Sequence, residues 1–223
     1  MALYNRIRIT ILILENQLTE DNPYVQQPQQ TRSRETMYQI LDAAAQILES
    51  KNFEELTIAE VVQKAGTSAG AFYGRFTDKE ALLQTLDERF FNDFEEAVRA
   101  ILAPAHWEGK SIAFIVEEVA DLIVSTYSRD WGVLRSLNLK ARLTGDSGFK
   151  KREQSAWNEL YPQFQRALLS HRDEITHPDP HLAIRLGFQQ LFYTAREILL
   201  WEALREDVPY KNEVLTAELS RAY

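Results

Sequence analysis

The sequence predicts an all-α chain in two parts, a module of short helices over residues 31–83 and a larger helical domain over residues 84–223. Three observations predict it. Apolar residues recur at spacings of three and four through most of the chain. Two capping boxes, Thr57 with Glu60 and Thr77 with Glu80, mark helix starts only twenty residues apart. Strand-like alternation is confined to Ile7, Ile9, Ile11 and Ile13.

The first helix of the module covers Arg34 to Ser50, with Met37, Ile40, Leu41, Ala44, Ile47 and Leu48 on one face. Phe53 and Leu56 close its core. The capping box at Thr57 opens a helix carrying Ile58, Val61, Val62 and Ala65, which Gly66 ends by taking the left-handed conformation. Ser68 then caps a short helix from Ala69 to Gly74, whose small residues admit close backbone approach while Phe72 and Phe76 point inward. Thr77 and Glu80 open a third helix, with the Lys79 ammonium reaching outward.

Helix, glycine turn and short helix form the grammar of a DNA-binding helix-turn-helix. From Thr36 to Leu82 the chain resembles the TetR family of bacterial transcriptional repressors. Asn52-Phe53, Leu56-Thr57-Ile58, Ala65-Gly66-Thr67-Ser68, Gly70, Phe72-Tyr73, Phe76 and Lys79-Glu80 carry the match. The resemblance implies a cytoplasmic homodimer that binds a double-stranded palindromic operator and is released by a small-molecule effector. It also implies that Thr67, Ser68 and Ala69 face base edges, that Tyr73 and Lys79 contact phosphate or groove, and that Thr57 lies in the same interface.

Two positions depart from the family pattern. Asn52 stands where the family often has Gly, and Asn tolerates the left-handed conformation that would end the first helix. Ala69 replaces a longer polar side chain and offers only a methyl group to a thymine. The operator sequence cannot be read from these residues.

A serine-hydrolase reading competes, because Gly66-Thr67-Ser68-Ala69-Gly70 fits the nucleophile-elbow pattern. That motif needs a strand before its Ser, and here a helical stripe precedes it. The chain has no cysteine, which excludes disulfides, thiolate catalysis and zinc-cysteine sites. His171, His177, Asp179 and His181 suggest metal ligands, but Pro178 and Pro180 break the helix that would align them. No cofactor or metal is called for, and the reading is of a non-enzyme.

The net charge of −8 argues against nonspecific DNA binding, and none of residues 1–30, 31–80 or 81–223 is net basic. A few cations on one surface suffice for phosphate contact. Arg32, Arg34, Arg75 and Lys79 are the candidates, Arg75 being equally able to turn toward a neighbouring carboxylate. Residues 1–30 read as an extension: an apolar run from Ile9 to Leu14 too short to span a membrane, then a linker with Pro23, Pro28 and the glutamines up to Gln30.

After Leu83 a stripe through Leu86, Phe90, Phe94, Val98 and Ile101 predicts a long helix ending before Pro104. Further helices are predicted over 111–128, 131–143, 147–170, 180–206 and 212–222, with Asp179-Pro180 forming a cap and first turn. Rings are frequent here, and most belong to the core. Phe114, Tyr127, Trp131, Trp157, Tyr161 and Phe192 are candidates to line a site for a largely apolar ligand, with Arg135 and Asn138 supplying polar contacts. Surface ion pairs are the plainer role for Arg135 and its neighbours. Phe188, Leu191, Ala195, Ile198 and Glu202, on the 180–206 helix, are the candidate dimer interface. A DNA binder controlled by a protein partner, with a filled core, remains the alternative.

Overall fold

The computed structural model describes residues 29–101, 107–145, 148–201 and 211–221, and among these there are helices and turns but no strand. The alternating Ile7–Ile13 stretch and Ser147, the predicted start of the 147–170 helix, lie outside them. The chain divides into two compact units, one of residues up to 90 with 132–145, the other of 91–131 with 146–223.

In the first unit, α1 (Gln29–Leu48) starts at the glutamines expected to be linker. Its Ile40, Leu41, Ala44 and Leu48 are essentially fully buried. A 3-10 turn (Phe53–Glu55) follows, and Asn52 enters it with extended backbone, φ −78° and ψ 156°, correcting the left-handed expectation. The Asn52 amide donates to Glu55 Oε2 at 3.0 Å, so Asn52 starts the turn and does not end the helix.

α2 (Ile58–Lys64) has the predicted capping box. The Glu60 amide donates to Thr57 Oγ1 at 3.3 Å, and the Thr57 amide to Glu60 Oε2 at 3.2 Å. Gly66, at φ 65°, ends it. Thr67 N–H bonds the Val62 carbonyl at 2.9 Å and Gly66 N–H that of Gln63 at 3.2 Å, the paired closing bonds of a Schellman ending. α3 (Ala69–Tyr73) is a turn and a half held by Phe72, which is fully buried and 5.3 Å from the Phe76 ring. Burying such a ring contributes about 1.5–3 kcal/mol, which a five-residue helix needs because it cannot persist alone.

α4 (Lys79–Ile101) is capped by Asp78, whose Oδ1 accepts from the Ala81 amide at 2.8 Å. Thr77 therefore does not cap this helix, and Glu80 pairs instead with Lys140. Lys140 belongs to α6 (Trp131–Thr144), which from Gly132 onward joins the first unit; that unit thus extends past residue 83 and includes a later helix. Seven consecutive α6 residues, Gly132 to Asn138, are buried.

In the second unit, α5 (Ile112–Arg129) is the hydrophobic centre, capped by Ser111 and buried at almost every position from Val119 to Tyr127. α9 (Asn212–Arg221) and α8 (Pro180–Leu200) pack along it, and α7 (Gly148–Leu169) packs against α8. α7 runs through Pro162 without a break in its helical span. Asp179 caps α8 as predicted, its Oδ1 accepting from Leu182 N–H at 3.0 Å with Pro180 in the first turn. α8 ends at Leu200 and not at Glu206, and Glu202 lies outside the described residues. Among the described residues no helix is long and apolar enough to cross a membrane.

Candidate nucleic-acid interface

Packing sets which face of α3 reaches outward. Phe72 is turned into the core and Tyr73, next to it, is 58% exposed, the two rings meeting edge-on at 5.4 Å. Ser68, Ala69, Gly70 and Gly74 are exposed and Thr67 is half-buried. Ser68 Oγ accepts from the Ala71 amide at 3.1 Å, leaving its hydroxyl hydrogen to donate elsewhere. The structure thus brings Thr67, Ser68, Ala69 and Tyr73 onto one small protruding surface. Thr57, also exposed, has its hydroxyl committed to Glu60.

The cations behave differently from the expectation. Arg75 is an internal brace: Nη1 donates to the Ala71 carbonyl at 2.6 Å, Nε to the Ser33 carbonyl at 3.0 Å and Nη2 to Ser33 Oγ at 3.2 Å. It bolts the end of α3 to α1. Lys79 does not reach outward. Its Nζ donates to the Phe53 carbonyl at 3.3 Å and the Glu54 carbonyl at 3.1 Å, and stands 4.9 Å above the Phe53 ring. Two of its three N–H groups are used there; the Phe53 carbonyl also accepts from the Leu56 amide at 3.2 Å, so Lys79 adds a second donor at the end of the 3-10 turn. Lys51 pairs with Glu60, whose carboxyl is held below its ordinary range by hydrogen bonds from Lys51 and Thr57. Arg34 and Lys64 are exposed and make no ion pair among the described residues. Sequence reasoning passed over Lys64, although its place in the last turn of α2, just before the Gly66 turn, was a usable signal. The Arg32 side chain lies outside the described residues.

No strand precedes Ser68; α2 and its glycine turn do, so the Gly66–Gly70 pattern is not a nucleophile elbow. His177 Nδ1 accepts from the Asp179 amide at 3.0 Å, closing a turn, and no group of three potential metal-ligating side chains is assembled among the described residues.

The candidate ligand residues fall in both units. Arg135 and Asn138 belong to the first; both are buried, not surface ion-pair residues. Arg135 Nη2 donates to the Lys51 carbonyl at 3.3 Å, and Asn138 Nδ2 to its own helix at the Leu134 carbonyl, 2.9 Å. Tyr127, Trp157, Tyr161 and Phe192 gather in the second unit, where the Trp157 ring is 3.9 Å from Phe192 and 5.5 Å from Phe188. Phe114, beneath Lys110 at 4.8 Å, and Trp131 are half-buried in that unit. Of the candidate dimer residues, Phe188, Leu191 and Ala195 are buried in the protomer's own core and Ile198 is half-buried. The exposed α8 apolar residues are Leu186 at 53% and Tyr193 at 57%, seven positions apart on one face.

A cap, a glycine turn and a short helix that buries Phe72 and presents Tyr73 and its small residues outward define a helix-turn-helix DNA-binding domain. Residues 40–86 match the sequence model described as bacterial regulatory proteins, tetR family. Over those residues the chain is similar to the DNA-binding domain of that family. It is 30% identical over 108 residues to the uncharacterized HTH-type transcriptional regulator YvdT of Bacillus subtilis, an alignment covering 45% of this chain and 55% of that one. The chain thus spans about half the length of that relative. Among solved structures, the TetR family transcriptional regulator PfmR from Thermus thermophilus shares the fold with a TM-score of 0.57 and 19% identity, over 82% of this chain and 93% of that one. The transcriptional regulator FadR from Bacillus subtilis, solved in complex with stearoyl-CoA, does so with a TM-score of 0.53 and 18% identity, over 82% and 95%.

Proposed function

We propose that this chain is a homodimeric, cytoplasmic repressor that binds a palindromic operator through paired α3 helices and is released by a small, largely apolar ligand held in the second unit. The observation that carries the DNA-binding half is the face formed by Thr67, Ser68, Ala69 and Tyr73, built on the buried Phe72 and Phe76. Two heads are needed because one short helix covers few base pairs, whereas a dimer reads half-sites about 34 Å apart. The ligand half is supported by the Tyr127–Trp157–Phe192 ring cluster and by the fold shared with a regulator solved with stearoyl-CoA. The full burial of Phe164 favours the rival reading, a filled core controlled by a protein partner.

Selection of bound sequences from random duplex DNA by the full chain tests the first half. A pseudo-palindrome with half-sites one helical turn apart is expected; recovery of unrelated sequences would contradict it. Titration of that duplex complex with an apolar compound then separates ligand control from partner control.

A further inference from the structure

The second unit contains a polar cluster set among its rings. Three helices build it. α5 supplies Tyr127, α7 supplies Glu153 with Trp157 one turn on, and α8 supplies Phe192 with Arg196 one turn on. Residues four apart share a helix face. The rings therefore form one layer, Tyr127 to Phe192 at 5.9 Å and Trp157 to Phe192 at 3.9 Å, and the polar ends form another beside it.

In that polar layer the Glu153 carboxylate is underused. Its Oε1 accepts from the Tyr127 hydroxyl at 3.3 Å, while Oε2 lies 3.8 Å from Arg196 Nη1, beyond hydrogen-bond reach. The two charged side chains are only 15% and 18% exposed. An ionised carboxylate offers about four acceptor positions, and Glu153 Oε2 is not sealed from solvent, so its open positions can be reached. Burial pushes the Glu153 carboxyl above its ordinary range, Arg196 opposing, and holds the Tyr127 phenol protonated far above its own. The site thus retains acceptor capacity with an apolar wall beside it. Trp157 is half-buried.

We propose that Glu153 is the polar anchor of the effector site, accepting a hydrogen bond from the hydroxyl or amide of a neutral, otherwise apolar molecule whose body lies against Trp157 and Phe192. This rests on the ligand-responsive reading above. Charge selects neutrality: a ligand carboxylate would meet Glu153, and a ligand ammonium would meet Arg196. Donation selects the head group, because the unfilled positions on Glu153 accept and cannot give. Glu153 and Arg196 were not among the residues singled out in the sequence, where a lone Glu and Arg on separate helices carry no signal.

The test is calorimetric titration of the full chain with a series on one ten-carbon skeleton: 1-decanol, decanamide, 1-methoxydecane, decanoate and decylammonium. The alcohol and amide are expected to bind at least about tenfold more tightly than the ether, which lacks a donor, and than either ion. Glu153→Met should erase the preference of alcohol over ether. Glu153→Gln keeps an acceptor oxygen but adds an NH2 donor that can serve the ether, and should narrow the preference without erasing it, which separates anchoring from a general effect on folding; melting curves of both variants confirm that each is folded. Equal binding of alcohol and ether, tightest binding by an ion, or a preference that survives Glu153→Met would overturn the anchor while leaving ligand control standing. Binding by no member of the series would overturn the anchor and the apolar-effector reading together.

Discussion

Gly132 of α6 lies so close to the end of α1 that a Cβ built on it would stand 2.5 Å from the Leu48 carbonyl carbon and oxygen. Glycine is required here by contact with backbone, which cannot swing aside as a side chain could. Arg135, one turn on, donates to the Lys51 carbonyl, and Lys140 pairs with Glu80 while standing 6.0 Å from the Phe53 ring. α6 is therefore part of the scaffold that holds the helix-turn-helix. Gly132→Ala should destabilise the protein by about 1–3 kcal/mol through overpacking. Urea unfolding checks it, and a midpoint unchanged from the natural chain would refute the close approach.

Lys79 has two roles to separate. Its ammonium donates to the carbonyls of Phe53 and Glu54 and lies 3.9 Å from Glu54 Oε2, and its third N–H would have to leave that carboxylate to meet a phosphate. Lys79→Ala should lower the melting temperature, weaken binding to every duplex and reduce the salt slope by about one unit. An unchanged slope with a lowered melting temperature would make it an internal brace alone. Lys64→Ala, exposed and unpaired in the described residues, should reduce the slope without affecting stability.

Assembly should depend on the outward face of α8. Leu186→Glu and Tyr193→Glu should shift the protein toward monomers in sedimentation while preserving its helical spectrum. Leu191→Glu places a carboxylate in the protomer's core, since Leu191 is 2% exposed, and should unfold the second unit instead. Dimers that persist in both outward-facing variants would place the interface elsewhere.

Acid titration should show two carboxylates acting in opposite directions. The Glu60 carboxyl is held below 4.5 in the folded protein by Lys51 and Thr57, so its contribution is complete above that value and is lost as pH falls through the folded one. Glu153 is raised above 4.5 by burial, so the folded state holds its proton more tightly and stability declines as pH rises through its folded value. Glu60→Gln should flatten the first change and Glu153→Gln the second, read as unfolding midpoints against pH. Curves for either variant parallel to the natural protein would contradict the assignment.

The head was legible because its signals are local. Thr57 with Glu60, Gly66, and Ser68 each act within five residues, so spacing alone places the helices and their ends. What escaped was the outcome of competition over longer range. Asp78 caps α4 in place of Thr77, and Glu80 pairs with Lys140, sixty residues away. Lys79 turned inward toward the Phe53 and Glu54 carbonyls, which only the folded 3-10 turn brings within its reach. The α8 stripe was recognised as apolar, but periodicity does not say whether Leu191 or Leu186 faces the protomer's own core. The Tyr127–Glu153–Arg196 cluster draws on three helices, and no sequence spacing announces it.

If the exposed face of α3 reads DNA, Ala69→Glu should block binding without harming the fold. Ala69 is exposed at the first position of α3, so a carboxylate there suits the helix start and disturbs no packing. It would stand against the base edges and phosphates of a bound duplex, where like charge costs several kcal/mol. Fluorescence anisotropy with the selected operator should show affinity falling by about a hundredfold or more, with the melting temperature unchanged. Binding equal to that of the natural chain would mean that another surface contacts the DNA.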